Sequence, residues 1–469
     1  MSVIVLVADG ARPDTFSDAM AKGSVPALSQ LRDDGALATV TSVFPSVTGP
    51  AYAPFVMGRY PGPVGLPGIR WYDRERAACR LPGNSRSYVG PEMRHVDGDL
   101  DGDAPTIYEL VPSSLAALNV IGRGLDRKNM LGRNAGFVAR TARTHFRGRA
   151  EAWLDIDREI SADLVEQIRR TRPAFVFAAL TGIDKTSHSA GHDSPLVGKA
   201  MSIVNDTVAA IRRDAESDGT WSDTHLWVVS DHGHSPVLHH EDLIGLIRSL
   251  GFRAIAHPFV YSMRGEIAVM VSGNAMAHIY LDISRRTRPW LSDLGGRWQS
   301  VMEMLLTRES VDLMILPTAI GGCEVHSKAR GTAVMKWGGG TYSYSPVTGD
   351  PLGIGEQRDL SDDEAYDITF TTDYPDSLVQ IAHLSDSPRS GEIILSAARN
   401  WDFRSKYEPI PHVSSHGALH REHMLVPLLA NRPFSRAPRR TVDIMPSALV
   451  ALGLPVPHGL DGEARITHD

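Results

Sequence analysis

Three short apolar runs, each about as long as a β-strand, set the strongest limit on what this chain can fold into. They are Val3–Ala8, Ala174–Leu180 and Leu226–Val229. Unbroken apolar runs suit strands that are covered on both faces, as in a parallel sheet packed between helices. Segments with helical spacing, such as 26–35 and 200–212, separate the runs. This alternation predicts an α/β fold with a doubly wound, mainly parallel central sheet and helices on both faces.

The character of the sequence changes between residues 253 and 399. Short β-like runs alternate there with Gly, Pro and acidic clusters, which we interpret as loops, among them 338–340 and 362–364. The runs are Glu266–Val271, Ala277–Leu281, Leu313–Ile315, Ala333–Lys336, Asp367–Thr371 and Glu392–Leu395. We therefore expect residues 253–399 to form an inserted α+β lid region, and residues 1–252 and 400–469 to form the core domain.

Composition excludes several classes of protein. The chain has 469 residues and a net charge of -7, which gives no support for a nucleic-acid-binding module. Its two cysteines, Cys79 and Cys323, are too few for a disulfide framework and argue against a cysteine-based metal site. The first residues enter a strand without a signal-peptide pattern, and no apolar run reaches membrane-spanning length. We expect a cytoplasmic protein without a transmembrane segment; the sequence indicates no particular oligomeric state.

Each of the three apolar runs is followed by carboxylate or imidazole side chains. Asp9 follows the first run, Asp184 and His188 follow the second, and Asp231 and His232 follow the third. Open α/β sheets bind their ligands at the carboxyl ends of the strands, so these groups are expected at one edge. Asp184 and His188 are four residues apart and would share one face of a helix. The alternatives are a turn-forming Asp9 and a strand-end Asp231 beside a surface histidine.

Two loop residues, Thr48 and His416, complete the set. Thr48 has the position of a helix N-cap, with Pro50 in the first helical turn. Its hydroxyl could instead be a nucleophile at a helix N-terminus, where an incoming phosphate is favoured and a metal ion would activate it. Seven oxygen and nitrogen groups exceed the needs of one tetrahedral Zn²⁺. They suit two divalent ions, with Zn²⁺ favoured, which is the arrangement for displacement at phosphorus.

In their order along the chain, these motifs resemble those of the alkaline phosphatase superfamily, in its type I phosphodiesterase/nucleotide pyrophosphatase branch. The resemblance covers most of residues 1–250 and 402–469. The motifs are Val-Ala-Asp9-Gly, Phe-Pro-Ser-Val-Thr48-Gly-Pro, Asp184-Lys-Thr-Ser-His188, Ser-Asp231-His232-Gly and Ser-Ser-His416-Gly. The resemblance implies one zinc held by Asp184, His188 and His416. A second would be held by Asp9, Thr48, Asp231 and His232. It also implies a covalent phospho-threonine intermediate that is hydrolysed in a second step.

The substrate-binding residues differ from those of the family. Diesterases of this branch carry an asparagine that hydrogen-bonds the phosphate, whereas the matching loop here has Ile69 and Arg70. Arg70, Arg12 or Arg59 could balance the charge of a monoester dianion, or each could have a surface role. Eight basic residues between 123 and 149 could form a rim for anionic substrates, although a solvated basic face is the simpler interpretation.

The sequence supports three hypotheses. The leading one is a two-zinc hydrolase of small phosphorylated substrates, either phosphodiesters or phosphomonoesters, that acts through Thr48. The second is a phosphonate C–P hydrolase, because related enzymes place the same metals and a threonine around a carbon leaving group. The third is a catalytically inactive metal- or ligand-binding protein, against which the complete set of seven groups argues.

Overall fold

A computed structural model describes residues 1–75, 84–257, 265–404 and 411–466. Cys79 lies outside the described residues, and Cys323 is a buried free thiol. The strands are β1 (Ser2–Ala8), β2 (Ala36–Thr41), β3 (Arg70–Tyr72), β4 (Ser85–Ser87), β5 (Ser114–Ala117), β6 (Met130–Leu131), β7 (Phe175–Leu180), β8 (Thr224–Val229), β9 (Ser235–Glu241), β10 (Ala254–Ala256), β11 (Ile267–Ser272), β12 (Met276–Leu281), β13 (Val311–Ala319), β14 (Gly322–Ser327), β15 (Gly331–Gly338), β16 (Thr341–Gly349), β17 (Gln357–Ser361), β18 (Ile393–Ala397), β19 (Asn400–Phe403), β20 (Ser414–Ser415) and β21 (Leu425–Ala430). The α-helices are α1 (Pro13–Ala21), α2 (Pro26–Asp34), α3 (Ala53–Met57), α4 (Val96–Asp99), α5 (Ile107–Leu110), α6 (Ala135–Arg147), α7 (Ala152–Thr171), α8 (Gly182–Ala190), α9 (Pro195–Ser217), α10 (Leu243–Ser249), α11 (Gln299–Leu306), α12 (Asp362–Thr369), α13 (Ser377–Asp386), α14 (Arg421–Met424) and α15 (Ile444–Ala451).

The central sheet has seven strands in the order β2-β21-β8-β1-β7-β5-β6. The five strands from β8 to β6 are parallel to one another, and β21 is antiparallel to both β8 and β2. Val3, Val5 and Val7 of β1 pack on one face with residues of α3, α5 and α15. The alternate residues of β1 pack on the other face with α1, α2, α7 and α9. The predicted fold, a mainly parallel sheet with helices on both faces, is therefore confirmed.

A second, nine-stranded sheet occupies most of the region after α10, in the order β10-β11-β12-β18-β13-β14-β15-β16-β17. Apart from β10 and β11, its neighbouring strands are antiparallel. Five of the six predicted β-runs lie in its strands, but Asp367–Thr371 as a strand is wrong. The acidic cluster at 362–364 is likewise not a loop, because Ser361 and Glu364 form a capping box that begins α12. The lid role of residues 253–399 stays a prediction.

None of the helices in the described ranges has both the length and the apolar character that crossing a lipid bilayer requires.

Candidate active site

Three buried carboxylates lie side by side at the carboxyl ends of β1, β7 and β8. The parallel register aligns the ends of these strands. Asp9 directly follows β1, and its backbone carbonyl accepts a hydrogen bond from the N–H of Asp184 at 3.0 Å. Asp231 comes two residues after the last residue of β8. All three carboxylates are completely buried, so the charge that they carry must be balanced within the site.

Gly10 allows the chain to turn between these carboxylates. It has a φ of +80°, and an added Cβ would lie 3.0 Å from atoms of both Asp184 and His234. Its N–H donates to Asp231 Oδ1 at 3.2 Å. A larger residue would be strained in this conformation and would press against Asp184 and His234.

Helix α8 carries two of the predicted metal ligands on one face. Asp184 and His188 lie one helical turn apart, and the distance from His188 Nε2 to Asp184 Oδ1 is 3.1 Å. Asp157 of α7 fixes the start of the helix by accepting hydrogen bonds from the N–H groups of Thr181 at 3.0 Å and Gly182 at 2.7 Å. A Cβ on Gly182 would lie 2.5 Å from Asp157 Oδ2. Glycine is therefore required where the carboxylate meets the backbone.

Asp157 should make the stability of the fold depend on pH. Burial raises its pKa from 3.8 to about 7, although the hydrogen bonds from Gly182 and Thr181 oppose this shift. Because the folded pKa lies above the unfolded one, the stabilising contribution is full below about pH 4 and is lost as pH rises towards 7. The amide side chain of an Asp157→Asn variant could not ionise, so this loss, on the order of a few kcal/mol, should be absent from the variant.

The measurement is urea denaturation of metal-free wild type and Asp157→Asn at pH 4.5 and 7.5. The difference in unfolding free energy between the two proteins should shift in favour of the variant at the higher pH. The other titrating groups are common to both proteins and cancel in the comparison. A difference that does not change with pH would show that Asp157 stays ionised in the folded protein at both values.

Thr48 reaches the same edge of the sheet from β2. Because β21 is antiparallel to both β2 and β8, β2 runs in the direction of β8 and delivers the following loop to the carboxylates. Thr48 Oγ1 lies 3.3 Å from Asp9 Oδ1 and 3.0 Å from His232 Nε2. The N-cap prediction is wrong: Gly49, with a φ of +98°, precedes the 3₁₀ turn Pro50–Tyr52. The hydroxyl is therefore directed at the site rather than used in capping.

His416 is brought to the site by the two-residue strand β20. Ser415 of β20 pairs with Ser235, the first residue of β9, so the residues that follow β8 and those around His416 become neighbours. His416 Nε2 lies 3.2 Å from His188 Nε2. Its ring stacks on that of His232 with 3.7 Å between centroids. The structure thus brings together all seven residues that the sequence predicts as metal ligands.

The three predicted histidine ligands present the same nitrogen to the cluster. The Nδ1 atoms of His188 and His416 lie 2.9 Å from the carbonyl oxygens of Ser414 and Ser46. The Nδ1 atom of His232 lies 3.2 Å from the carbonyl of the next residue. Since a carbonyl only accepts, each Nδ1 donates, and each Nε2 is the ring nitrogen that faces the cluster and can bind a metal ion when it carries no proton. Metal-binding histidines are oriented in this way.

The charges of the carboxylates also fit a cation site. Burial and the charges of Asp231 and Asp184 raise the pKa of Asp9 well above its ordinary value. Burial likewise raises the pKa of Asp231, whose Oδ2 is buried without a hydrogen-bond partner in the described part of the chain. Ligand atoms of Asp9, Asp231 and His232 lie within 4.8 Å of one another, as do those of Asp184, His232, His234 and His416. Such oxygen and nitrogen donors suit Zn²⁺ or a similar divalent ion.

The comparison with known families agrees with this geometry. The family model described as type I phosphodiesterase / nucleotide pyrophosphatase matches residues 3–291, which is more than half of the chain. The chain belongs to this family. It is a metal-dependent phosphoric ester hydrolase of the alkaline phosphatase superfamily. No curated protein matches the sequence at a significant level.

Solved structures show the same fold at low sequence identity. Murine ectonucleotide pyrophosphatase/phosphodiesterase 5 is 16% identical, with 98% of each chain covered and a TM-score of 0.58. Its inactive threonine-to-alanine variant in complex with AMP superposes with a TM-score of 0.60, covering 98% of this chain and 97% of that one, also at 16% identity. Phosphonoacetate hydrolase from Sinorhizobium meliloti 1021, in complex with phosphonoformate, is 16% identical, with 96% of each chain covered and a TM-score of 0.58.

Sequence reasoning missed three residues of this phosphodiesterase-family site. The hydroxyl of Tyr52 donates to Asp9 Oδ2 at 3.0 Å. The Nζ of Lys185 lies 2.6 Å from Asp184 Oδ2. Burial alone would raise the pKa of Asp184, but Lys185 and His188 outweigh it and lower that pKa well below its ordinary value. His234 is the third; its position two residues after His232 was a usable signal, because alternate residues of an extended segment share a side.

The three arginines predicted to contact substrate lie in different surroundings. Arg12 forms a salt bridge with Asp14 and donates to the carbonyl of His234 at 2.8 Å. Arg59 donates to Asp101 at 3.1 Å. Arg70 lies in β3, opposite Ser87 of β4. Arg12 and Arg59 are therefore already paired with carboxylates, and a substrate role for any of the three stays a prediction.

Proposed function

We propose that this enzyme hydrolyses phosphate esters, either diesters or monoesters, with two divalent metal ions and a covalent phospho-threonine intermediate on Thr48. The observation that carries the proposal is the position of Thr48 Oγ1, 3.3 Å from Asp9 Oδ1 and 3.0 Å from His232 Nε2. The hydroxyl is half-buried, whereas the carboxylates and His232 are fully buried. A substrate can therefore reach the Thr48 hydroxyl from solvent.

Two ion sites are proposed from the same residues. One ion would be held by groups around Asp184, namely Asp184, His188 and His416. The other would be held by Asp9, Thr48, Asp231 and His232. When bound, the ions would supply positive charge that favours the alkoxide of Thr48 and balances the charge on the phosphoryl oxygens. The inactive threonine-to-alanine variant of the murine relative supports a functional threonine.

The chain's own residues account for the two chemical steps. Thr48 Oγ1 attacks phosphorus, the bond to the leaving oxygen breaks, and the leaving group takes up a proton as an alcohol. Water then attacks the phospho-threonine, which releases phosphate or a phosphomonoester and restores the hydroxyl. Tyr52 holds the Asp9 carboxylate through its Oδ2, which leaves Oδ1 directed at Thr48. A fixed carboxylate keeps the nucleophile in one position throughout both steps.

A phosphonate C–P hydrolase is the second candidate. It is supported by the fold shared with phosphonoacetate hydrolase over 96% of both chains. Lys185 adds a partly exposed ammonium group beside Asp184, where a second anionic group of a substrate would be attracted. The third candidate, an inactive binding protein, is disfavoured because Thr48 is held at hydrogen-bond distance from both Asp9 and His232.

We also propose that residues 253–399 form an inserted region beside the site. The turn between β11 and β12 contacts the loop that carries His416: Asn274 forms an isolated β-bridge with His416, and the hydroxyl of Ser415 donates to the carbonyl of Gly273 at 2.7 Å. Movement of residues 253–399 would therefore displace the loop that carries His416, a proposed metal ligand.

The proposal is tested with zinc-loaded protein and three substrates: p-nitrophenyl phosphate, bis-p-nitrophenyl phosphate and phosphonoacetate. We expect at least one phosphate ester to be hydrolysed, with activity lost in a chelator and restored by zinc. Hydrolysis of phosphonoacetate, followed by phosphate release, would favour the C–P hydrolase instead if its kcat/KM exceeded the kcat/KM for hydrolysis of either ester. The same protein without added metal is the matched control. Equal activity with and without chelator would contradict the two-metal proposal.

A further inference from the structure

His234 is a fully buried imidazole beside the proposed site that the three-ligand assignment of the first ion does not use. Its Nδ1 lies 3.2 Å from the hydroxyl oxygen of Ser414. That hydroxyl donates its own hydrogen to the carbonyl of Ser235 at 2.9 Å, so it can only accept from His234. The proton of the neutral ring is therefore on Nδ1. Its Nε2 presents a lone pair to Asp184 Oδ1 at 2.9 Å.

A lone pair that faces a carboxylate oxygen at this distance is repelled unless a proton or a metal ion lies between the two atoms, and a bound metal ion satisfies both atoms at once. The same oxygen, Asp184 Oδ1, also lies 3.1 Å from the Nε2 of His188 and 3.5 Å from the Nε2 of His416. Zinc–nitrogen bonds of about 2.0–2.1 Å place the ligand atoms of a tetrahedral ion about 3.4 Å apart. The distances around Asp184 Oδ1 are therefore close to those of a shell with one oxygen and three nitrogens.

The three imidazole rings lie at nearly equal distances from one another. Their centroids are 4.9 Å apart for His188 and His234, 5.1 Å for His234 and His416, and 5.0 Å for His188 and His416. In each ring, Nδ1 is engaged by a serine carbonyl or hydroxyl oxygen. His234 thus has the same outer support as the two histidines that the family resemblance assigns as ligands.

We infer that His234 is a fourth protein ligand of the first ion, so that this ion is held by Asp184, His188, His234 and His416. The inference rests on the proposed two-metal site but not on the identity of the substrate. Three imidazoles and one carboxylate suit Zn²⁺, Co²⁺ or Fe²⁺ better than Mg²⁺ or Ca²⁺. A fourth protein ligand should make this ion bind more tightly than an ion held by three.

The inference is tested by zinc titration and metal analysis of the full-length protein after removal of metal. Wild type should bind about two zinc ions per chain. His234→Ala and His234→Gln should each bind one of them at least about 100-fold more weakly, because a ligand is lost. Glutamine can still hydrogen-bond to Asp184, whereas alanine cannot. If His234 only positioned that carboxylate, the glutamine variant would therefore bind zinc more tightly than the alanine variant; if His234 is a ligand, both variants should lose zinc affinity. Zinc affinity retained within about threefold in His234→Gln would overturn the inference.

His240→Ala is the matched control. His240 also pairs with a buried aspartate, with its Nδ1 2.6 Å from Asp402 Oδ1, but it belongs to neither metal-donor group of the described residues. It should retain both zinc ions. Loss of one zinc from this variant as well would show that any histidine–aspartate pair affects the titration, and would remove the support for His234.

A zinc-loaded crystal structure of the wild type gives a test that needs no variant. We expect His234 Nε2 within about 2.1 Å of the ion that Asp184 binds. A distance beyond about 3 Å from any ion would overturn the inference. Activity that survives in Thr48→Ala would contradict the proposed function instead, and would leave the four-ligand site standing.

Discussion

Thr48→Ala should reduce kcat/KM for the best phosphate ester by at least about 1,000-fold, while zinc content stays close to that of the wild type. The alanine variant lacks the oxygen that attacks phosphorus, so no phospho-threonine can form. The remaining donors of the second ion, Asp9, Asp231 and His232, still lie within 4.8 Å of one another. Three such groups are enough to keep an ion bound.

Thr48→Ser is the matched control, because it keeps a hydroxyl on the same backbone. We expect it to retain activity within about tenfold of the wild type, and denatured enzyme quenched during turnover should carry phosphate on residue 48 in both active proteins. Metal analysis of all three proteins separates loss of the nucleophile from loss of an ion. Full activity in Thr48→Ala with normal zinc content would rule out the covalent mechanism.

Removal of the metal ions should strongly destabilise the folded protein. Three completely buried carboxylates, Asp9, Asp184 and Asp231, meet in the site, and the ammonium of Lys185 contacts only the second of them at 2.6 Å. An ion present at 1,000 times its Kd stabilises the native state by about 4 kcal/mol, so two ions should contribute several kcal/mol. The measurement is thermal unfolding in excess zinc and in excess chelator, with a lower Tm in the chelator.

Two carboxylate variants sharpen this prediction. Asp231→Asn removes one of the repelling charges and one ligand, so its Tm should change less between zinc and chelator than that of the wild type. Asp402→Asn alters a buried carboxylate that pairs with His240 outside the site, and it should show the full wild-type difference. A wild-type Tm that is the same in zinc and in chelator would mean that the carboxylates are neutralised without metal.

The site residues that follow the parallel strands were predictable, because parallel strands end at the same edge of a sheet. Apolar runs mark buried strands, and residues just beyond parallel strands, such as Asp9, Asp184 and Asp231, must meet at one edge. The helical spacing of Asp184 and His188 gave their shared face in the same way. The antiparallel direction of β21 has no signature in the sequence.

The remaining features depend on contacts that local patterns do not encode. β20 has only two residues, so its pairing with β9, which brings His416 to the site, leaves no periodic trace. The Tyr52 contact with Asp9 joins segments 43 residues apart. A β-run was predicted over residues 367–371, whereas residues 362–369 form α12, which begins at the Ser361 cap.

The stacking of His416 on His232 makes the order of synthesis matter. The ring of His416 comes from a segment that follows all nine strands of the second sheet, whereas β1, β7 and β8 are complete by residue 229. On the ribosome, the early strands can therefore assemble long before the cluster gains its last imidazole. Protein fragments that end before residue 416 would carry the buried carboxylates without the complete set of metal ligands. Tight zinc binding would therefore begin only after translation has passed residue 416.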